Sequence, residues 1–301
     1  MNNLFSKRHK FVLEQKNKYQ TMTVEFSKKL LDVDKKEYEI ELVKSIKNFL
    51  VTMINKCSNF NPNLFMHNIK KTSFTIKKLE EYKNGKVGGT VTISNINTLK
   101  INSFDIMEHE LMHLATIKKD IYNYPGFNSY LEGYTELLTK RYFEYYKSQE
   151  YPLLVIFAQN IESILGKDLM ENKFFEGKFF NTINELYKYC SEEKVKRMFF
   201  KLSCINSEFS NYNNFFDTQY VQSCWNEIYE ILIECLKNKC KEVNNKEEIS
   251  SIINNGKWIG QINFRFVAKT ENNKIYNLNA EKFNEVIVEI YDSIKLKNKR
   301  N

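Results

Sequence analysis

Residues 103–118 read SFDIMEHELMHLATIK, and this stretch is the most informative part of the chain. Its apolar residues recur at helical spacing, which predicts a buried helix. His109 and His113 are four residues apart, so both imidazoles lie on one face of that helix and can reach one metal ion. Glu110 follows the first histidine, where a carboxylate can serve as the general base of metal-assisted hydrolysis. The pattern predicts a hydrolytic metal site; a pair of hydrogen-bonded core histidines is the alternative.

A zinc site needs a third ligand, and no histidine follows His113. Glu132 is the best candidate, because a helix–loop–helix hairpin of this length folds back onto its first helix, and Gly133 would let the two helices approach closely. Alternatively, Ser129 and Glu132 form a capping box at the start of the second helix. Glu136, one turn further on, either orients a ligating histidine or is an ordinary solvated glutamate. The residues leave both pairs of alternatives open.

The HExxH motif at 109–113, followed by Glu132-Gly133 in a second helix, resembles the gluzincin metallopeptidases, which include thermolysin-like enzymes and zinc aminopeptidases. The resemblance covers about residues 72–145. It implies one zinc ion per chain, with Glu110 as base and proton shuttle. The ligands that it implies are His109, His113 and Glu132.

The resemblance also implies a substrate strand and an oxyanion donor. The family's edge strand, which pairs with the extended substrate backbone, corresponds to residues 87–95, so substrate contacts are expected at Gly88, Gly89 and Thr90. The tyrosine of thermolysin-like enzymes that stabilises the tetrahedral intermediate corresponds to Tyr124. Other tyrosines that can take this role are Tyr122, Tyr212 and Tyr220.

Some family features are missing. The chain lacks the Gly-Ala-Met-Glu-Asn motif of the aminopeptidases, although the spacer at 114–131 has the length found in that branch. It also lacks the late histidine of thermolysin-like enzymes, and Thr116 stands where HExxHxxGxxH proteins have glycine. The sequence therefore predicts an endopeptidase or oligopeptidase rather than an aminopeptidase. The alternative is a catalytically inactive, gluzincin-like protein that binds peptides or acts as a scaffold.

The pattern of elements predicts an α+β fold that is predominantly helical. A small antiparallel sheet, from the β-rich stretches at 72–76 and 91–94, is expected to pack on the active-site helix, and a largely helical C-terminal half follows. Three regions are predicted: a helical N-terminal region at 1–66, a zincin catalytic core at 67–148, and a mostly helical C-terminal subdomain with a late hairpin at 149–301.

The composition limits the classes of partner and the cellular compartments that are expected for this chain. The formal net charge is +8, but arginine occurs only at positions 8, 141, 197, 265 and 300, so nucleic-acid binding is not expected. No apolar run approaches the length of a membrane span, and no apolar core follows the basic N-terminus as in a secretory signal. The cysteines lack a disulfide-scaffold spacing, which is typical of a cytoplasmic protein with reduced thiols. Release by lysis or non-classical export is compatible with the same sequence. His9 and His67 fit no ligand spacing and are expected to be surface residues or to make local hydrogen bonds.

Overall fold

The computed structural model describes residues 37–70, 72–76, 89–92, 97–101, 107–116, 124–146, 151–210, 217–243, 245–265 and 275–279. Its helices are α1 (Glu37–Lys56), α2 (Pro62–Lys70), α3 (Met107–Thr116), α4 (Phe127–Tyr142), α5 (Pro152–Leu165), α6 (Lys167–Phe175), α7 (Asn181–Leu186), α8 (Glu192–Ser210), α9 (Thr218–Glu242) and α10 (Lys246–Asn255). Its short strands are β1 (Thr72–Ile76), β2 (Gly89–Thr92), β3 (Asn97–Ile101), β4 (Gln261–Arg265) and β5 (Ile275–Asn279).

The fold is all-helical in class, so the prediction of an α+β fold with a small antiparallel sheet on the active-site helix is wrong. Most of the described residues lie in helices, and each of the five strands has only four or five residues. Strands β1 and β2 do not pair with each other, as an antiparallel sheet from 72–76 and 91–94 would require, because β3 lies between them and pairs with β1 in parallel. β-propensity indicates extended segments but does not choose their partners.

The chain divides into two compact units. The first comprises Met1–Lys119, Leu138–Gln149 and Glu171–Phe179. Its described core contains a cluster of phenylalanines, in which Phe49 stacks on Phe65 and Phe143 with ring centroids 5.0 and 5.3 Å apart. The second unit comprises Asp120–Leu137, Glu150–Met170 and Phe180–Asn301. The predicted boundaries of the three regions stay predictions.

A buried carboxylate organises part of the first unit. Glu171, on α6, accepts hydrogen bonds from Arg141 Nη1 at 2.8 Å and from the Tyr142 hydroxyl at 2.7 Å. The Asn59 side-chain amide donates a third bond at 3.3 Å. Such partners offset the desolvation of a buried charge. Glu171 therefore ties the last turn of α4 to α6 and to the turn between α1 and α2.

The second unit is built on α5, α8 and α9. Helices α8 and α9 run antiparallel, as shown by ion pairs from Lys194 to Glu234 and from Arg197 to Glu227. The side-chain amide of Asn160, which is fully buried on α5, bonds both the carbonyl and the N–H of Lys257 at 3.0 and 2.6 Å. Most of the large aromatic side chains described in this unit are buried, so they belong to the core.

Three smaller predictions concern the surface and the thiols. The six cysteines are all free, as a protein with reduced thiols requires. His67 on α2 is exposed, as predicted, whereas His9 lies outside the described residues. Within the described part of the chain, no helix combines the length and the apolar character that crossing a membrane would need.

Candidate metal centre

The two histidines of the motif lie on α3, and the predicted helix is confirmed. Positions i and i+4 share a helix face, and here they bring His109 Nε2 to 3.1 Å from His113 Nε2. The two rings are nearly perpendicular, with an interplanar angle of 79° and centroids 4.7 Å apart. Both imidazole edges therefore point to one location.

Helix α3 is buried on every side: each residue from Met107 to Thr116 is buried. Its last turn is anchored inside the first unit. The Asn68 side-chain amide of α2 donates to the Leu114 carbonyl at 2.8 Å, and the Thr116 hydroxyl donates to the Phe174 carbonyl at 2.6 Å. The carbonyl of Leu114 belongs to the last turn, where a helix has no internal donor, so Asn68 supplies one. These bonds hold the helix that carries the two histidines.

The structure brings Glu132 to the same location. His109, His113 and Glu132 each offer one ligand atom, and these atoms lie within 4.8 Å of one another. No other group of three or more His, Cys, Asp or Glu residues in the described part of the chain meets this criterion. Glu132 is half-buried, whereas the two histidines are buried. The three predicted ligands are thus found together.

The capping-box alternative for Glu132 is wrong. Helix α4 begins at Phe127, after the turn at Tyr124-Pro125-Gly126, and Tyr130 N–H already donates to the Gly126 carbonyl at 3.0 Å. Glu132 is therefore one and a half turns inside the helix rather than at its third residue. A side chain at that depth does not reach the N-terminal amides.

The three residues fit a zinc ion. At Zn–N lengths of about 2.0–2.1 Å, two nitrogens 3.1 Å apart subtend about 100° at the ion, which is close to tetrahedral. Two imidazoles and one carboxylate form the donor set of many catalytic zinc sites, which keep the fourth position open. The same nitrogen–nitrogen distance also suits a hydrogen bond between two neutral imidazoles of opposite tautomer. Glu132, as a third donor beside the two imidazoles, favours a metal ion over a hydrogen-bonded pair of histidines.

The helix also carries two buried glutamates, which have different surroundings. Glu108 accepts a hydrogen bond from the Tyr145 hydroxyl at 2.8 Å. At about 100° per residue, Glu110 is about 60° from His113 around the helix, and Glu108 is about 140° away. Glu110 is only 5% exposed. Of the two carboxylates, Glu110 lies nearer to the histidine face, as the role of general base requires.

Glu136 is fully buried, with 0% exposure. The alternative of an ordinary solvated glutamate is therefore wrong. Glu136 follows Glu132 by one turn on α4, so both carboxylates lie on one face of that helix. Its role in orienting a ligating histidine stays a prediction.

Tyr124 precedes α4 and packs edge-on against the rings of Phe180 and Phe199, with centroids 5.4 and 5.7 Å away. Burial of the hydroxyl, followed by interaction with Tyr187, raises the pKa of Tyr124 well above the usual value for tyrosine. The hydroxyl therefore stays protonated, as a hydrogen-bond donor to an oxyanion must. Its assignment to that role remains a prediction. Tyr220 on α9 is 40% exposed, and Tyr122 and Tyr212 lie outside the described residues.

The predicted substrate strand is described in part. Gly89 and Thr90 belong to β2, and Gly88 lies outside the described residues. Among the described strands, β2 pairs with β3 alone and so lies at the edge of the order β1-β3-β2. It also lies against α3. Its role in binding a substrate backbone stays a prediction.

The contacts between α4 and α5 were not predicted from the sequence. Gly133 was expected to let α4 approach the histidine helix, but a Cβ on Gly133 would overlap the backbone carbonyl of Leu154 on α5. The next residue, Tyr134, donates a hydrogen bond to Glu162 Oε2 at 2.8 Å, also on α5. No local spacing links positions this far apart, so the sequence pattern carried no sign of this contact.

Comparisons with protein-family models, curated proteins and solved structures return no match for this chain.

Proposed function

We propose that this chain is a zinc-dependent peptidase, with endopeptidase or oligopeptidase activity. The observation that supports the proposal is the cluster of His109, His113 and Glu132, whose ligand atoms lie within 4.8 Å of one another. An acidic residue that follows the first histidine of such a pair is the usual base of metal-assisted hydrolysis. The resemblance to gluzincins is part of the same proposal.

The proposed chemistry assigns one task to each group. When bound, zinc supplies a Lewis acid that polarises the scissile carbonyl and acidifies a water molecule. His109, His113 and Glu132 hold the ion. Glu110 accepts the proton of the attacking water and later delivers it to the leaving amine. Tyr124 donates a hydrogen bond to the developing oxyanion, and the backbone of β2 binds the extended substrate.

The proposal also includes a cytoplasmic location and the class of substrate. The six cysteines are free, which suits the reducing cytoplasm. The substrates are peptides or proteins. Nucleic acid is not an expected partner, because the excess charge is carried by lysine and arginine is scarce.

A peptide-binding or scaffold protein without catalysis is the second candidate. The 3.1 Å separation of the two histidine nitrogens favours it in one respect, because a direct hydrogen bond explains that distance without a metal ion. This candidate gives no reason for a carboxylate at Glu110 or for Glu132 beside the two imidazoles. A test of hydrolysis separates the two candidates.

Purified protein is expected to cleave members of a quenched-fluorescent peptide library. Cleavage should stop with ortho-phenanthroline, which chelates zinc, and should continue with meta-phenanthroline, its non-chelating isomer. Adding about one equivalent of Zn²⁺ after removal of the chelator should restore the rate, because the ion supplies the Lewis acid. Cleavage that survives chelation would contradict the metal mechanism. A zinc-loaded protein that binds peptides without cleaving any would favour the second candidate.

A further inference from the structure

We propose that Tyr134 and Glu162 are positioning residues for the third metal ligand, and that their hydrogen bond sets the affinity of the site for zinc. The inference rests on the proposed zinc site and concerns how that site is held. Both are proposed to act through the backbone of α4 beside Glu132.

The first support is the close approach at Gly133, the residue after the ligand. A Cβ at this position would overlap the Leu154 carbonyl and lie 2.9 Å from Leu154 Cβ. Glycine therefore lets the backbone of α4 touch the backbone of α5. A contact between two backbones leaves little freedom to adjust, so α5 fixes the depth at which Glu132 sits.

The second support is the polar bond beside that contact. The Tyr134 hydroxyl donates to Glu162 Oε2 at 2.8 Å, and both residues are buried. Helix α5, PLLVIFAQNIESIL, is the most apolar helix described, and a carboxylate in such surroundings is expensive unless it is hydrogen-bonded. The hydrogen bond from Tyr134 therefore offsets part of the free-energy cost of burying the Glu162 carboxylate. The bond fixes the rotation of α4 about its axis, while Gly133 fixes its distance from α5.

The chain offers a matched bond at the other end of the same helix. Tyr142 donates to Glu171 at 2.7 Å, and Glu171 is also buried. At 1.5 Å per residue, Tyr142 is about 15 Å along the helix from Glu132, whereas Tyr134 is about 3 Å away. Each bond joins a buried tyrosine hydroxyl to a buried carboxylate, although Glu171 also accepts from Arg141 and Asn59. The two bonds differ in their distance from the ligand.

The test compares Tyr134→Phe with Tyr142→Phe in the full chain, using zinc alone as the probe. Each substitution removes one hydroxyl and keeps the ring. Zinc affinity is measured by competition with a chromophoric chelator, and unfolding of the zinc-free protein is followed in urea. Loss of a group that orients a metal ligand typically weakens binding by about 10–100-fold. We expect about a 10-fold loss for Tyr134→Phe and less than about a 2-fold change for Tyr142→Phe, with similar shifts of the urea midpoint.

Two Glu162 variants test the bond from its other side. Glu162→Gln keeps a carbonyl acceptor for Tyr134 and is expected to retain nearly full zinc affinity. Glu162→Leu removes the acceptor and is expected to reproduce the loss seen with Tyr134→Phe. If one of the Tyr134 or Glu162 variants fails to fold, the other still reports on the bond.

The measurements separate three cases: failure of the positioning role, failure of the zinc site and failure of the peptidase activity. Equal weakening of zinc affinity in Tyr134→Phe and Tyr142→Phe would overturn the positioning role, because general loosening of the protein affects both variants alike. Unchanged affinity in both variants would overturn it too, because the Tyr134 hydroxyl would then have no effect on the site. A wild-type protein that binds no zinc would overturn the proposed function, and the positioning role with it. Zinc binding that depends on Tyr134 in a protein that cleaves no peptide would support the positioning role and contradict the peptidase.

Discussion

Glu110→Gln is expected to abolish measurable peptide hydrolysis while zinc stays bound. The amide has nearly the shape of the carboxylate but cannot accept the proton of the attacking water. General acid–base groups contribute about 10²–10⁴-fold to a rate, so kcat should fall by at least about 100-fold. Zinc content should be unchanged, because the proposed ligands are His109, His113 and Glu132. The measurement is kcat on a cleaved peptide beside the zinc content of the same preparation.

Glu108→Gln is the matched control. Glu108 is buried on the same helix, two residues away, but it faces the Tyr145 hydroxyl. The glutamine carbonyl can still accept that hydrogen bond, so kcat should stay within about 3-fold of the wild-type value. Full activity in Glu110→Gln, or an equal loss in both variants, would contradict the assignment of Glu110 as the general base.

Gly133→Ala is expected to destabilise the protein and weaken zinc binding together. The new methyl group would overlap the backbone carbonyl of Leu154, and a backbone cannot move aside as a side chain can. Overpacking of this kind costs about 1–3 kcal/mol or more, and the better helix propensity of alanine returns less than about 1 kcal/mol. We expect a net loss of about 2 kcal/mol in the free energy of unfolding. Urea denaturation of the zinc-free protein measures it.

Asn128→Ala, on the exposed side of the same helix, is the control for this substitution. An exposed change of this kind should alter the free energy of unfolding by no more than about 0.5 kcal/mol. A Gly133→Ala protein as stable as wild type would mean that α4 and α5 are not in backbone contact. It would also remove one support for the positioning role of Tyr134 and Glu162.

The group of His109, His113 and Glu132 could be predicted from the sequence because its geometry is largely local. His109 and His113 are one helical turn apart, so the helix alone places them together. Glu132 is in the next helix of the chain, and a short connection between two helices favours contact between them. The burial of Glu136 could not be predicted, because it depends on elements that pack against α4 from elsewhere in the sequence.

The partners of the strands could not be predicted, because strand pairing is not local. The β-rich stretches at 72–76 and 91–94 do contain strands, β1 and β2, yet β3 lies between them. The pattern gave the conformation of each stretch and not its partner. The partner of Gly133 was missed for the same reason: the glycine indicates a close approach, but only packing decides that Leu154 makes it.

The proposed function requires one zinc ion, held between His109, His113 and Glu132. The most direct test is the metal content of protein purified without added metal, measured by mass spectrometry for wild type, His113→Ala and His67→Ala. His67 is exposed on α2 and serves as the control histidine. About one zinc per chain in wild type and His67→Ala, and none in His113→Ala, is the predicted result. No zinc in the wild type after reconstitution, or equal zinc in all three proteins, would contradict this metal site.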